Sequence, residues 1–207
     1  DTQINTLAPI IEFINKNHDI KISIDTRSSE VINAFSSQNI LFVNDVSSGL
    51  HDMNMLKTVS HLKCNYIMTH MPAEHQKGLN KKYNNVLDEL NIFFNERIRS
   101  CIEQGIGKEK IIIDPGIGFG KSGDDNITIL ENINVLKSIH NNICIGSSNK
   151  RFSSKLFDGI ETKDDLKVAN LATFAVSSLR GATYLRVHDV DITKDTIMII
   201  DKVKNVS

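Results

Sequence analysis

The sequence predicts an α/β protein of the TIM (β/α)8 barrel class, with about six of the eight βα units present. Three observations lead there. Short apolar runs of strand type alternate with longer stretches of helical period, and no two strand-like runs lie close enough to form a hairpin. Strands separated in this way pair in parallel through helical crossovers. The polar residues Asp25, Asn44, Asp114, Ser148, Arg186 and His188 fall at or near the C-terminal ends of five different strands. That spread suits the top of a barrel, whereas an open doubly wound sheet gathers its polar strand ends near one switch point.

The elements follow in order. Ile4, Leu7, Ile10, Ile11 and Ile14 mark an amphipathic helix broken only by Pro9. Lys21 to Ile24 is a strand ending in Asp25-Thr26, and Ser28 or Ser29 caps a short helix through Phe35. Ile40 to Val43 is the next strand, closing in Asn44-Asp45, and His51 to His61 reads as helical. Asn65 to Met68 is a strand that ends in Thr69-His70-Met71. A long helix over Asn85 to Gln104 sets Val86, Leu90, Phe93, Phe94, Ile98 and Ile102 on its buried side, and Gly105 stops it. Ile111-Ile112-Ile113 is a core strand; Ile127 to Ile139 is helical; Ile143 to Ile145 is a strand. Asp165 to Leu179 is an apolar helix ended by Gly181, Thr183 to His188 the last strand, and Asp195 to Val203 the last helix.

Composition narrows the function. With 207 residues, 40% hydrophobic and 24% charged, the chain fits one globular domain, residues 1–207. A net charge of −1 and a pI near 6.7 give no basic footprint for nucleic acid. No apolar run reaches membrane-spanning length and the start lacks a signal-peptide pattern, so a cytoplasmic location is expected. Cys64, Cys101 and Cys144 are widely spaced among apolar neighbours and read as structural thiols.

The chain is organised around Ile111 to Ser122, I-I-I-D-P-G-I-G-F-G-K-S. Asp114 stands at the C-terminal lip of a buried strand, beside a glycine-rich loop ending in Lys121. A carboxylate on a rigid strand with backbone close by suits a polar ring or an anion; the alternative is an aspartate that caps its own turn. A Walker loop would need glycine at Pro115, and a dinucleotide loop through Gly118, Gly120 and Gly123 would set Asp124-Asp125 against the phosphates.

Six motifs, in order along nearly the whole chain, together resemble dihydropteroate synthase: S-I-D-T (23–26), V-N-D-V-S (43–47), T-H-M (69–71), D-P-G-I-G-F-G-K (114–121), G-S-S-N-K (146–150) and R-V-H-D-V (186–190). The resemblance implies a barrel enzyme of folate synthesis that joins a pterin diphosphate to p-aminobenzoate and releases pyrophosphate, with Mg2+ assistance. It implies pterin binding by Asp25, Asn44, Asp114 and Lys150, and aminobenzoate binding by Phe119 and Ser148. Arg186 and His188, two apart on one strand and so on one face, would grip the diphosphate. Lys150, Arg186 and His188 are the catalytic candidates, and a homodimer is implied by analogy.

Departures accompany the matches. Asn149 replaces the arginine of the family's usual Ser-Arg-Lys, and Met68 stands one place early relative to Met-His-Met. The family's first two strand-end loops, one carrying a metal-binding asparagine, have no counterpart from residue 1 onward. A longer protein, a partner segment completing the barrel, and a shortened enzyme all remain open. So do two other functions: a non-catalytic pterin-binding or assembly relative, and a pterin-dependent methyltransferase, against which Lys150 and R-V-H-D argue.

Overall fold

The computed structural model describes residues 2–147 and 162–204. They alternate helices with parallel strands: α1 Thr2–Asn17, β1 Ile22–Asp25, α2 Ser29–Ala34, β2 Ile40–Asp45, α3 Met55–Leu62, β3 Asn65–Thr69, α4 Ala73–Gln76, α5 Val86–Glu103, β4 Ile111–Asp114, α6 Gly123–Glu131, α7 Ile133–Leu136, β5 Cys144–Ile145, α8 Lys163–Leu179, β6 Tyr184–Leu185 and α9 Val190–Lys204. The chain divides into two compact units, Asp1–Thr69 with Asn95–Ile112, and His70–Phe94 with Ile113–Ser207.

In the first unit the sheet runs β1-β2-β3, with β4 next in the order. Every residue of β4 is buried, the continuous apolar run expected of a parallel strand covered on both faces. Among the described residues β1 pairs with β2, and β6 pairs with β5. Beside β6 lies a groove of about 360 Å³ lined in part by Leu185, Val187, Val190, Ile197 and Met198. No helix among the described residues is long and apolar enough to cross a membrane.

Several boundaries differ from the sequence expectation for physical reasons. α1 continues through Pro9, and of its apolar stripe only Ile11 is fully buried, Ile10 being half exposed. On α5, Val86, Leu90, Phe94 and Ile98 are buried as expected, but Ile102 is exposed and Cys101 takes the core position. The step from 98 to 101 instead of 102 keeps the stripe on one face of a 3.6-residue helix. α4 was not expected. α6 begins at Gly123, four residues before the apolar run, because Ser122 and Asp125 form a reciprocal capping box. Thr162 and Asp165 do the same for α8. α9 begins at Val190, with the Asp189 carbonyl accepting from the Thr193 N–H. β6 is two residues long, shorter than the expected strand over Thr183 to His188. All three cysteines are buried and free.

The loop after β2 hangs on one buried carboxylate. Asp45 accepts from the backbone N–H and hydroxyl of Ser47, from the Gly49 N–H, and from the Tyr66 hydroxyl at 2.7 Å. Arg97 on α5 donates to the Ser48 carbonyl at 3.0 Å, while the Ser48 hydroxyl donates to the Thr69 carbonyl. Burial pushes the Tyr66 phenol well above its ordinary range, and the Asp45 charge adds to this, so the phenol remains a donor. Replacing Tyr66 by Phe strips a donor from a fully buried carboxylate and is expected to cost about 1–3 kcal/mol. Urea denaturation should show a lower midpoint with an unchanged slope; an unchanged midpoint would contradict this account.

Candidate active site

The parallel register of β1 and β2 sets Asp25 opposite Asn44. The Asn44 amide donates to Asp25 Oδ2 at 2.8 Å. Asn44 is buried and Asp25 exposed, so the pair presents a carboxylate steadied by an amide behind it. Gln3 of α1 donates to the Asp25 carbonyl, and Thr26 donates to Gln3 Oε1. Met68, whose displacement left its role open, is fully buried with its sulfur 4.0 Å from Cys101 Sγ. It belongs to the core of this unit, and Met71 is the partly exposed member of the motif.

In the second unit Asp114 ends β4 with no solvent exposure. Its Oδ1 accepts the Gly116 N–H at 2.8 Å and its Oδ2 accepts from Arg186 Nη2 at 2.8 Å. Turn-capping and strand-end placement thus coincide in one side chain. Two glycines make the arrangement possible. Gly116 has φ +70°, and a Cβ there would overlap the His70 carbonyl oxygen. A Cβ on Gly146 would overlap the Arg186 guanidinium. The Arg186 backbone extends the parallel pairing past β6, its N–H donating to the Ile145 carbonyl at 2.9 Å.

Lys121, at the end of the glycine-rich loop, turns back onto backbone carbonyls. It is 5% exposed, and its ammonium donates to the carbonyls of His70, Gly116 and Phe119, each at 3.1 Å. The helix after this loop starts in a capping box, with Ser122 Oγ accepting the Asp125 N–H and Asp125 Oδ2 accepting the Ser122 N–H.

Phe119 is half-buried and its ring lies 5.0 Å from that of His75, tilted by 53°. His188 is exposed, three residues beyond β6. Ser148, Asn149 and Lys150 lie outside the described residues. The structure therefore joins Asp25 with Asn44 and Asp114 with Arg186. Sequence reasoning missed Asp45, His75 and the true role of Lys121. Lys121 carried a signal in its place at the end of the glycine loop and Asp45 in the V-N-D-V-S motif, while His75 carried none.

The comparisons with known proteins agree with these motifs. A match to the pterin binding enzyme family covers residues 1–188. The chain belongs to the pterin binding enzyme family. Within that family, the dihydropteroate synthase of Synechocystis sp. is 30% identical over 200 residues, covering 96% of this chain and 69% of the relative. A solved structure of Xanthomonas albilineans dihydropteroate synthase with 4-aminobenzoic acid superposes with a TM-score of 0.88 at 33% identity, covering 96% of this chain and 73% of that one. Another of that enzyme, in complex with 7,8-dihydropteroate, gives 0.85 at 32% identity, covering 95% and 73%. The fold class expected from the alternation of strands and helices is thus that of the barrel enzymes of this pterin binding family.

Mg2+, implied by the resemblance, has no ready-made cluster of ligands among the described residues. They hold no group of three or more His, Cys, Asp or Glu side chains placed to ligate an ion.

His70 supplies a pH-dependent signature. It is buried, with its ring edge-on to Phe93 at 4.9 Å and its Nε2 3.9 Å from Glu89. Burial, with the nearby Lys121 and Lys81 charges, lowers its pKa to about 2. The unfolded chain takes up this proton near pH 6.5 and the folded chain only far below, so the contribution is complete above pH 6.5 and is lost as pH falls toward 2. The slope is about 1.4 kcal/mol per pH unit. Urea titrations at pH 7 and pH 5 should show His70→Gln losing less stability over that step than wild type; equal losses would contradict the buried neutral imidazole.

Proposed function

We propose that this chain, as one pterin-binding domain, carries dihydropteroate synthase chemistry: 6-hydroxymethyl-7,8-dihydropterin diphosphate and p-aminobenzoate give 7,8-dihydropteroate and pyrophosphate in folate biosynthesis. The observation that carries the proposal is the fully buried Asp114 carboxylate at the end of β4, within a motif set that recurs in family order. The dihydropteroate synthase relatives and their structures with 4-aminobenzoic acid and 7,8-dihydropteroate support it.

Asp114, Asn44, Asp25 and Lys150 are the pterin-binding groups in this reading. Carboxylates accept from the amide and amino edge of the pterin, and an asparagine amide can both donate and accept there. Each Asp114 oxygen accepts a hydrogen bond within the chain, and a carboxylate oxygen has a second lone pair with which to accept from a ligand donor. Phe119 packs on the aminobenzoate ring, with Ser148 beside it. In the reaction the bond from the pterin methylene carbon to the diphosphate oxygen breaks, and the oxygen leaves with the bonding pair. The arylamine nitrogen forms the new C–N bond and gives its proton to solvent or to the leaving group. Arg186 and His188 stabilise the departing negative charge. A guanidinium presents five donors in a rigid fork, so engaging Asp114 through Nη2 is compatible with a second engagement with the diphosphate. No covalent intermediate with the chain is formed.

We place the reaction in the cytoplasm. By analogy with the family it occurs in a homodimer, to which the exposed Val168, Val176 and Leu179 of α8 offer an apolar face.

Incubating the chain with both substrates should yield dihydropteroate and equimolar pyrophosphate, each dependent on the other substrate. Lys150→Ala should lower kcat/KM by about 100-fold with folding unchanged. A folded wild-type chain that binds pterin and releases no pyrophosphate would contradict the synthase reading and favour the non-catalytic one, for which Asn149 in place of arginine is the sequence feature.

A further inference from the structure

Phe119 lies between two backbone positions that the segment from His70 to Lys81 holds in place. Its own N–H donates to the Gly116 carbonyl at 3.0 Å, and its carbonyl accepts from the buried Lys121 ammonium. The next residue, Gly120, donates its N–H to His75 Nδ1 at 3.1 Å, while its carbonyl accepts from the Lys81 N–H at 2.9 Å. A Cβ on Gly120 would stand 2.7 Å from Pro72 Cγ and 3.1 Å from the His75 Cβ, so the two segments touch with no room for a side chain. The His75 ring then reaches the Phe119 ring. One side chain thus fixes the loop twice, by accepting a backbone N–H at residue 120 and by packing on the side chain at residue 119. An Nδ1 that accepts carries no proton, so this contact selects the tautomer protonated at Nε2.

We infer that His75 is a positioning residue that sets the angle of the Phe119 ring and thereby the fit of the aromatic amine substrate. The inference rests on the proposed synthase reading, in which Phe119 packs on that amine. Two separable interactions are involved. The acceptor holds the backbone on which Phe119 is mounted, and the ring limits how far the phenyl group can turn. Both act on the residue that packs on the amine, so the effect should fall on that substrate and spare the pterin.

The test uses the full chain with His75→Ala, His75→Phe, which keeps a ring but no acceptor, and His75→Asn, which keeps an acceptor near the Nδ1 position but no ring. Two readouts are taken: steady-state kinetics in each substrate, and the fluorine NMR line of 4-fluorophenylalanine placed at residue 119. His75→Ala should raise KM for p-aminobenzoate about tenfold, leave KM for the pterin diphosphate and kcat within about twofold, and shift or broaden the fluorine line. His75→Phe and His75→Asn should each recover part of both effects. An unchanged fluorine line and KM in His75→Ala would overturn the inference. A parallel rise in both KM values with a lowered thermal midpoint would overturn it too, by reducing His75 to a structural role. If the line moves while KM for p-aminobenzoate stays put, Phe119 does not serve the amine and the inference falls. A wild-type chain without turnover would remove the synthase reading, and the fluorine line would still decide whether His75 sets Phe119.

Discussion

A carboxylate with no solvent exposure at the end of a core strand is the constraint on which the second unit depends. Asp114 can be buried there because its two oxygens meet a backbone N–H and a guanidinium. Each partner imposes a condition of its own. The Gly116 N–H is in reach only with the backbone at positive φ and against the His70 carbonyl, which excludes any side chain at that position. Arg186 reaches Oδ2 only by crossing a strand end that has no Cβ. The carbonyls turned inward by this loop then need donors, and the Lys121 ammonium supplies them from within. A charge in the motif that could have served a ligand instead satisfies the backbone that shapes the ligand's surroundings.

The first unit solves a similar problem by dividing labour between consecutive residues. Neighbours on a strand face opposite sides of the sheet. Asn44 turns to Asp25 across the β1–β2 register, and Asp45 turns to Tyr66 and the loop that follows. The asparagine steadies a carboxylate that faces solvent, while the aspartate holds the turn at the end of the same strand. Changing Asn44 should therefore affect ligand binding more than stability, and changing Asp45 the reverse.

What was legible in the sequence followed from periodicity and chain order. Parallel pairing, the buried β4, the strand-end positions of Asp25, Asn44 and Asp114, and the inert cysteines all come from patterns that local sequence encodes. What was not legible depended on direction. Nothing in G-F-G-K says whether the lysine points to a ligand or back to its own carbonyls, and that choice is made by the orientation of three peptide planes. His75 sits on a four-residue helix, too short to show a period. The exchange of Ile102 for Cys101 on the core face of α5 reflects the drift of a 3.6-residue repeat, which an i, i+4 count overruns after four turns. The strand expected over 183–188 is two residues long, although the Arg186 N–H still pairs with the Ile145 carbonyl beyond it. Ser148 and Lys150 lie outside the described residues, so their placement rests on the motif alone.

The central claim is that the buried Asp114 carboxylate recognises the pterin edge, and calorimetry tests it most directly. Titrating 6-hydroxymethylpterin diphosphate into the chain should give saturable heat at one site. Asp114→Asn keeps the shape and one acceptor but replaces the second acceptor with a donor, so it should weaken binding by about 100-fold, the scale of a lost charged hydrogen bond. Equal affinity in a folded Asp114→Asn variant would contradict the account. It would mean that this aspartate serves only to close its own turn and to hold Arg186.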